Sequence, residues 1–299
     1  MTTVGLIGLG AMGSGMAASL RRAGHSVQVF DVRREVAEAF TNAGGKAHDT
    51  LASLGAACDV VVSVVVNAAQ TEAVLFGDGT TPGCAASMKP GSVFVMCSTV
   101  DPNWSVALEA RLEAMGLRYV DAPISGGAAK AASGQMTMMT AGKPEAYAVA
   151  EPFLNAMAAK VYKLGDSAGA GSKVKIINQL LAGVHIAAAA EAMALGLREG
   201  VDAAALYEVI TNSAGNSWMF ENRMAHVLAA DYTPLSAVDI FVKDLGIVLD
   251  MARASKFPLP LSSTAHQMFM QASTAGFAKE DDSAVIKIFP GIELPKGKA

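Results

Sequence analysis

Short apolar runs alternate with longer stretches of helical spacing through the first half of the chain, and beyond about residue 165 the short runs stop. The runs are residues 4–8, VQVF before Asp31, AHD ahead of Leu51, DVVVSVVV over 59–66, 93–97, 117–121, MTMMTAG from Met136, and KVYKLG. Most are continuous rather than alternating, which is what a parallel strand covered on both faces requires. Between them apolar residues recur at spacings of three and four, the period of an amphipathic helix. Strand and helix in alternation predict an open parallel sheet with helices on both sides. Residues 169–198, GAGSKVKIINQLLAGVHIAAAAEAMALGLR, then read as one long helix. Its charges, Lys173, Lys175, Glu191 and Arg198, stand near the ends, so it is expected to be buried on most sides. Helical spacing continues over 203–213, 217–228, 238–255 and 261–275, and nothing there reads as a strand.

The first run leads into Gly8-x-Gly10-x-x-Gly13, a helical stretch follows, and VQVF ends in Asp31. Strand, three glycines, helix and an acid closing the next strand together form a dinucleotide-binding fingerprint. The first glycine permits the tight turn, the second lets backbone approach the pyrophosphate, and the third lets helix and strand pack closely. Leu9, Ala11 and Met12 lie in the same loop. Asp31 would accept from the adenosine ribose 2'-hydroxyl and repel a 2'-phosphate, which favours NAD. Arg33 and Arg34 are able to embrace that phosphate and leave NADP open. The expected fold is α/β: an N-terminal Rossmann-type doubly wound sheet followed by an all-α domain, joined by a long helix. The divisions fall at 1–165, 166–198 for the joining helix, 199–290, and a loose tail over 291–299.

Charged residues make up 17% of the 299 and apolar residues 52%, against about 25% and 45–50% in typical domains. That excess points to a subunit interface rather than a membrane, because His185 and Glu191 interrupt the apolar helix. A homodimer or homotetramer is expected. The net charge of -4 argues against nucleic acid. The start MTTVGLIGLG enters a strand at once, without a basic leader, so a cytoplasmic protein is expected. Cys58, Cys84 and Cys97 have no metal-like spacing and read as reduced core thiols. The histidines form no ligand set either, His185 reads as a core residue, and no metal is expected.

Ligands of such sheets bind beyond the carboxyl ends of the strands. The loops there carry Val65, Val66 and Asn67, then Ser98 and Thr99, then Ser125, Gly126 and Gly127. Asn67 alone is better explained as turn chemistry. Two adjacent glycines after a hydroxyl offer unobstructed amides to a small anion. Lys175 near the start of the long helix, with Asn178 and Gln179 one turn on, puts polar groups on a helix otherwise built for burial. A lysine there needs a partner or a purpose.

GLIGLGAMGSGMA, DAPISGGAAKAASGQMTMMTAGK, GAGSKVKIINQ and FVKDLG resemble, in order and spacing, four signatures of the β-hydroxyacid dehydrogenase family. The resemblance runs over essentially the whole chain, and further stretches such as AGNSWMFENR and KEDDSAVIKIF resemble a branch acting on sugar acids. It implies NAD-dependent oxidation of a small hydroxycarboxylate. It also implies Lys175 as the catalytic lysine, with Asn178 and Gln179 as amides that orient substrate. Many relatives have two asparagines there. Ser125, Gly126 and Gly127 match the carboxylate loop, Thr99 a cofactor contact, and Lys243 and Asp244 a pair reaching the nicotinamide side. Where relatives often show Leu-Pro, this chain has Val65-Val66. Hydride transfer itself needs little more than proximity, a dry cleft and one group to take a proton. Lys175 suits if burial lowers its pKa from about 10.4 toward neutrality. A noncatalytic nucleotide-binding relative, or the imine-reducing branch, would lack this lysine. Asn216 or Ser217 could read distal hydroxyls, although a helix cap explains them as well.

Overall fold

The computed structural model describes residues 2–42 and 44–297; Met1, Ala43, Lys298 and Ala299, the last two in the expected tail, lie outside it. The chain forms two compact units, 1–175 and 176–299.

In the first unit β1 (Val4–Ile7), β2 (Val27–Phe30), β3 (Lys46–Ala47), β4 (Val60–Ser63), β5 (Val93–Met96) and β6 (Arg118–Asp121) run parallel in the order β3-β2-β1-β4-β5-β6. β7 (Ile124–Ser125) and β8 (Met136–Gly142) continue the sheet antiparallel, and β9 (Ala158–Lys163) pairs with β8 in parallel. Residues on the central strands alternate between two cores. Val4, Leu6, Val60, Val62, Val93 and Val95 share a core with Met16 and Leu20 of α1 (Gly13–Arg22), Ala37 of α2 (Arg34–Asn42) and Phe153 and Leu154 of α7 (Pro144–Met157). Ile7, Val61, Phe94 and Met96 face Leu54 of α3 (Leu51–Ala57), Leu75 of α4 (Ala68–Phe76) and Leu108 of α5 (Pro102–Ala114). Apolar residues on both sides are why these strands read as continuous runs. The run at 59–66 is a strand only to Ser63. In this unit β7 forms within the segment read as a loop, and α6 (Gly127–Ser133) fills the stretch between that loop and the run from Met136, where no element was expected.

Register positions the functional loops. Ile7 pairs with Phe30 and Ser63, Ser63 with Met96, and Met96 with Asp121. The next residues, Gly8, Asp31, Val64, Cys97 and Ala122, therefore open their loops along one edge, with the reversal of strand order at β1 and β4.

The second unit is helical, and its one pairing of strand type among the described residues is the isolated bridge between Ala237 and Asp281. The long helix α8 (Ala170–Arg198) supplies Ala182, Ile186, Ala190 and Met193 to its core. Around it are α9 (Ala203–Thr211), α10 (Trp218–Ala229), α11 (Val238–Ala254), α12 (Pro260–Ala272) and a buried 3-10 segment, Asp282–Ile288. A Cβ on Gly183 would lie 2.9 Å from Leu245, so glycine lets α8 and α11 pack closely. By length and composition α8 could cross a membrane, yet Ile186, Ala190 and Met193 are fully buried within this unit.

Burial of α8 is less complete than its sequence suggests. Ile177, Leu181 and Leu195 are 54%, 51% and 62% exposed, and His185, expected in the core, lies on the same exposed side. The tail also differs from expectation, because Ile292 and Leu294 pack on the helical core and Arg198 donates to the Gly291 carbonyl at 3.1 Å.

Candidate active site

Gly8 has φ +91°, and a Cβ there would lie 2.9 Å from the Val64 carbonyl oxygen. A Cβ on Gly13 would fall 1.8 Å from the Gly8 oxygen, whereas one on Gly10 would meet nothing within 4 Å. Two glycines thus close the turn and the third leaves open backbone ahead of α1. The first turn of a helix presents amides without intrahelical partners, and its dipole favours anions. Leu9 donates its amide to Asp31 Oδ2 at 2.6 Å, which ties the end of β2 to the loop. Ala11 and Met12 lead from that loop into α1.

Arg33 pairs with Asp31, its amide at 2.8 Å and its Nε at 3.2 Å from Oδ1, and its guanidinium reaches the Leu9 carbonyl at 3.3 Å. Burial pulls the Asp31 carboxyl up, but the Arg33 guanidinium and the amides of Arg33 and Leu9 together leave it below the ordinary value of 3.8. Arg34 turns instead to Glu38 at 2.9 Å. Of the two arginines, Arg33 alone stands at the carboxylate.

The next loops are braced internally. Val65 lies against the Gly8 turn, and its carbonyl accepts from Ser98 Oγ at 2.7 Å, beside half-buried Thr99. Val66 donates its amide to Gln70 Oε1 at 2.8 Å. Asn67 caps α4 through the Gln70 amide at 2.8 Å, the turn role expected of it. Ser125 sits on β7 opposite Thr137. Gly126 and Gly127 have φ +139° and +77°, backbone that side chains disfavour, and a Cβ on Gly127 would meet only open space. The loop therefore offers consecutive amides, suited to a small anion. Lys175, 7% exposed, ends the first unit in the second turn of α8.

In the second unit Asn178 Nδ2 donates to Gln179 Oε1 at 3.1 Å, and Gln179 Nε2 donates to Asp244 Oδ2 at 2.6 Å. Lys243 Nζ lies 2.9 Å from Asp244 Oδ1. Asp244 is 2% exposed. It was expected among the cofactor contacts, but both its oxygens face side chains of its own unit. Ser217 caps α10 through the Phe220 amide at 3.0 Å, and Asn216 donates to the Thr211 carbonyl at 3.1 Å, so both serve helix ends. Sequence reasoning assigned no role to Asp121, which is fully buried with three donors on its carboxylate. The available signal was an acid closing an apolar run.

The family model for the NAD-binding domain of 6-phosphogluconate dehydrogenase matches residues 3–165. That for the NAD-binding domain of NADP-dependent 3-hydroxyisobutyrate dehydrogenase matches residues 169–289. The chain belongs to the β-hydroxyacid dehydrogenase family. L-threonate dehydrogenase of Cupriavidus necator is 68% identical over 99% of this chain and 98% of its own. That of Pectobacterium atrosepticum is 53% identical over 99% and 96%. The crystal structure of 3-hydroxyisobutyrate dehydrogenase from Salmonella typhimurium superposes with a TM-score of 0.92 at 52% identity, covering 97% of this chain and all of the other. As a β-hydroxyacid dehydrogenase the chain is an NAD(P)-dependent oxidoreductase of a hydroxy acid CH-OH group. Its residues fit the dinucleotide: open backbone at Gly10, a helix N-terminus behind it, and a carboxylate at the end of β2.

Proposed function

We propose that this β-hydroxyacid dehydrogenase oxidises L-threonate at C2 to the 2-oxo acid, with NAD as the preferred cofactor. The observation that carries the reading is 68% identity, over nearly the whole of both chains, with a protein named L-threonate dehydrogenase. Gly8, Leu9, Gly10, Ala11, Met12 and Gly13 would hold the pyrophosphate, Asp31 the adenosine ribose, and Val65, Val66 and Thr99 the remaining edge of the cofactor. Once bound, nicotinamide supplies the hydride acceptor. Ser125, Gly126 and Gly127 hold the substrate carboxylate. Lys175 in its neutral form takes the proton from the C2 hydroxyl, and Asn178 orients that hydroxyl. Gln179 and Lys243, both held by Asp244 within the helical unit, are assigned to substrate binding as well. Cys58, Cys84 and Cys97 are all free thiols, which supports a reducing compartment, the cytoplasm.

Lys175→Ala should retain cofactor binding and lose roughly 10² to 10⁴ in turnover, the usual cost of removing a general base. Near-normal turnover in that variant overturns the assignment. Because the base must be neutral, oxidation should accelerate as pH rises from neutral to alkaline. The relative from Salmonella typhimurium, 52% identical, favours 3-hydroxyisobutyrate as the second reading. A site built for distal hydroxyls leaves polar groups unpaired when they are missing. L-threonate should therefore outrank 3-hydroxyisobutyrate and tartronate semialdehyde in kcat/KM, and parity would remove the sugar-acid reading.

The exposed apolar side of α8, with Val209 63% and Leu261 70% exposed on α9 and α12, supports a homodimer or homotetramer closed by twofold symmetry. Light scattering at low micromolar concentration should give a multiple of 30.7 kDa, and an active species at 30.7 kDa would dismiss the assembly.

A further inference from the structure

A buried carboxylate is costly unless donors meet it. Asp121, at the end of β6, is fully buried, and its donors come from a segment about fifty residues away. Its Oδ2 accepts from the amides of Gly169 and Ser172, each at 2.9 Å, and its Oδ1 from Ser172 Oγ at 2.7 Å. Burial pushes this carboxyl above the ordinary carboxylate value, and the three donors offset part of that rise. The first turn of a helix has amides that its own backbone cannot satisfy, so a strand end caps α8 from outside. The approach is tight as well. A Cβ on Gly171 would lie 2.4 Å from the Met139 carbonyl oxygen and 3.1 Å from that of Asp121, so the first turn rests directly on β6 and β8. Just ahead of the helix, Glu109 Oε2 accepts from the Ala168 amide at 3.1 Å.

Lys175 follows Ser172 by three residues, the spacing that places both on one helix face. In the other direction, Ser125, Gly126 and Gly127 follow Asp121 by four to six residues. One carboxylate thus joins the turn just before the lysine to the strand that precedes the anion loop. We propose that Asp121 is a positioning residue, which sets the register between Lys175 and the carboxylate loop of Ser125, Gly126 and Gly127. This rests on the roles proposed above for those groups. Misplacement by about 1 Å can cost on the order of 10² in rate, so loosening this tie should appear in catalysis before it appears in cofactor binding.

The test compares Asp121→Asn, which turns one acceptor oxygen into a donor facing other donors, with Ser172→Ala, which deletes a single hydrogen bond. Tyr147→Phe is the control; it removes a buried 2.8 Å hydrogen bond to Thr140 elsewhere in the same unit. Each variant is measured for kcat and KM with L-threonate, for NAD affinity by titration, and for amide hydrogen exchange over residues 166–176. Asp121→Asn should lower kcat by roughly 10- to 100-fold and raise KM for the hydroxy acid, with NAD affinity unchanged. Ser172→Ala should cost about three- to tenfold in kcat, and both should speed exchange in the first turn of α8. Tyr147→Phe should change melting temperature only. Faster exchange with kcat and KM unchanged overturns the proposal, as does unchanged exchange; if Asp121→Asn fails to fold, Ser172→Ala decides. Should the wild type turn over another hydroxy acid but not L-threonate, the substrate reading fails while the same comparison is made with that acid. If no hydroxy acid is turned over, the enzymatic reading fails, and exchange alone decides whether Asp121 holds the turn.

Discussion

In the sheet unit, buried and half-buried carboxylates meet backbone: Asp31 takes the amides of Leu9 and Arg33, Asp121 those of Gly169 and Ser172, and Glu109 that of Ala168. In the helical unit they mostly meet side chains. Asp244 takes Gln179 and Lys243, and Asp282 takes the guanidinium of Arg223 through both of its oxygens. Asp281 is the exception, accepting at 3.1 Å the amide of Leu235 in a loop and that of Ser283 in the opening turn of the 3-10 segment. The difference follows from where amides are left over. Helices consume their own except at the ends, whereas loops at a sheet edge and the helix starts facing them present several together. One unit is thereby suited to anions, including phosphates and carboxylates. The other holds polar side chains on helix faces at set positions.

The largest expected effect contrasts Asp→Asn in the two units. Arg223 is 7% exposed and Asp282 fully buried, so Asp282→Asn leaves a buried cation short of its charge partner. Breaking such a pair from one side costs about 3 to 5 kcal/mol. Denaturant unfolding should register that loss for Asp282→Asn, and a smaller one for Asp121→Asn, whose donors are neutral amides and a hydroxyl. Equal losses would erase the distinction between the units.

Glycine substitutions sharpen the account of the sheet unit. Gly13→Ala forces a Cβ into the Gly8 carbonyl, so the turn must deform and stability should fall by more than 1 kcal/mol. Gly10→Ala meets no protein atom within 4 Å and should leave the melting temperature nearly unchanged. Its methyl would nonetheless occupy the face reserved for the pyrophosphate, so NAD affinity should drop at least about tenfold, or 1.4 kcal/mol. Normal NAD binding by a folded Gly10→Ala protein would mean that the cofactor does not use this face.

The same contrast explains what was legible beforehand. Gly8, Gly10, Gly13, Gly126 and Gly127 stood out because backbone recognition demands glycine at fixed spacing, and the strands stood out because burial on both faces makes apolar runs. β7 and α6 did not, since ISGGAAKAASG carries no apolar period. The burial of Asp244 was equally hidden, because its partner Gln179 lies 65 residues away and no local pattern joins them. His185 was misjudged for a related reason. An apolar helix whose sides are all alike does not announce which one its neighbours leave open.

The smallest effect concerns Arg33, where side chain and backbone meet at one carboxylate. Asp31 is held below its ordinary value, so its charge and its contribution to stability are present above pH 3.8 and are lost as pH falls below it. Across neutral pH it is therefore ionised and opposes a 2'-phosphate. At surface-like dielectric this repulsion is on the order of 1 to 4 kcal/mol. Arg33 screens it and is itself a phosphate ligand, so Arg33→Ala should weaken NADP use by about five- to tenfold and leave NAD nearly untouched. The ratio of kcat/KM for the two cofactors should move by that factor and, above the second ionisation of the 2'-phosphate at about pH 6, stay flat with pH. A ratio unchanged by the substitution would mean that Arg33 serves only to orient Asp31. A ratio that swings with pH would mean that some group other than this carboxylate makes the choice.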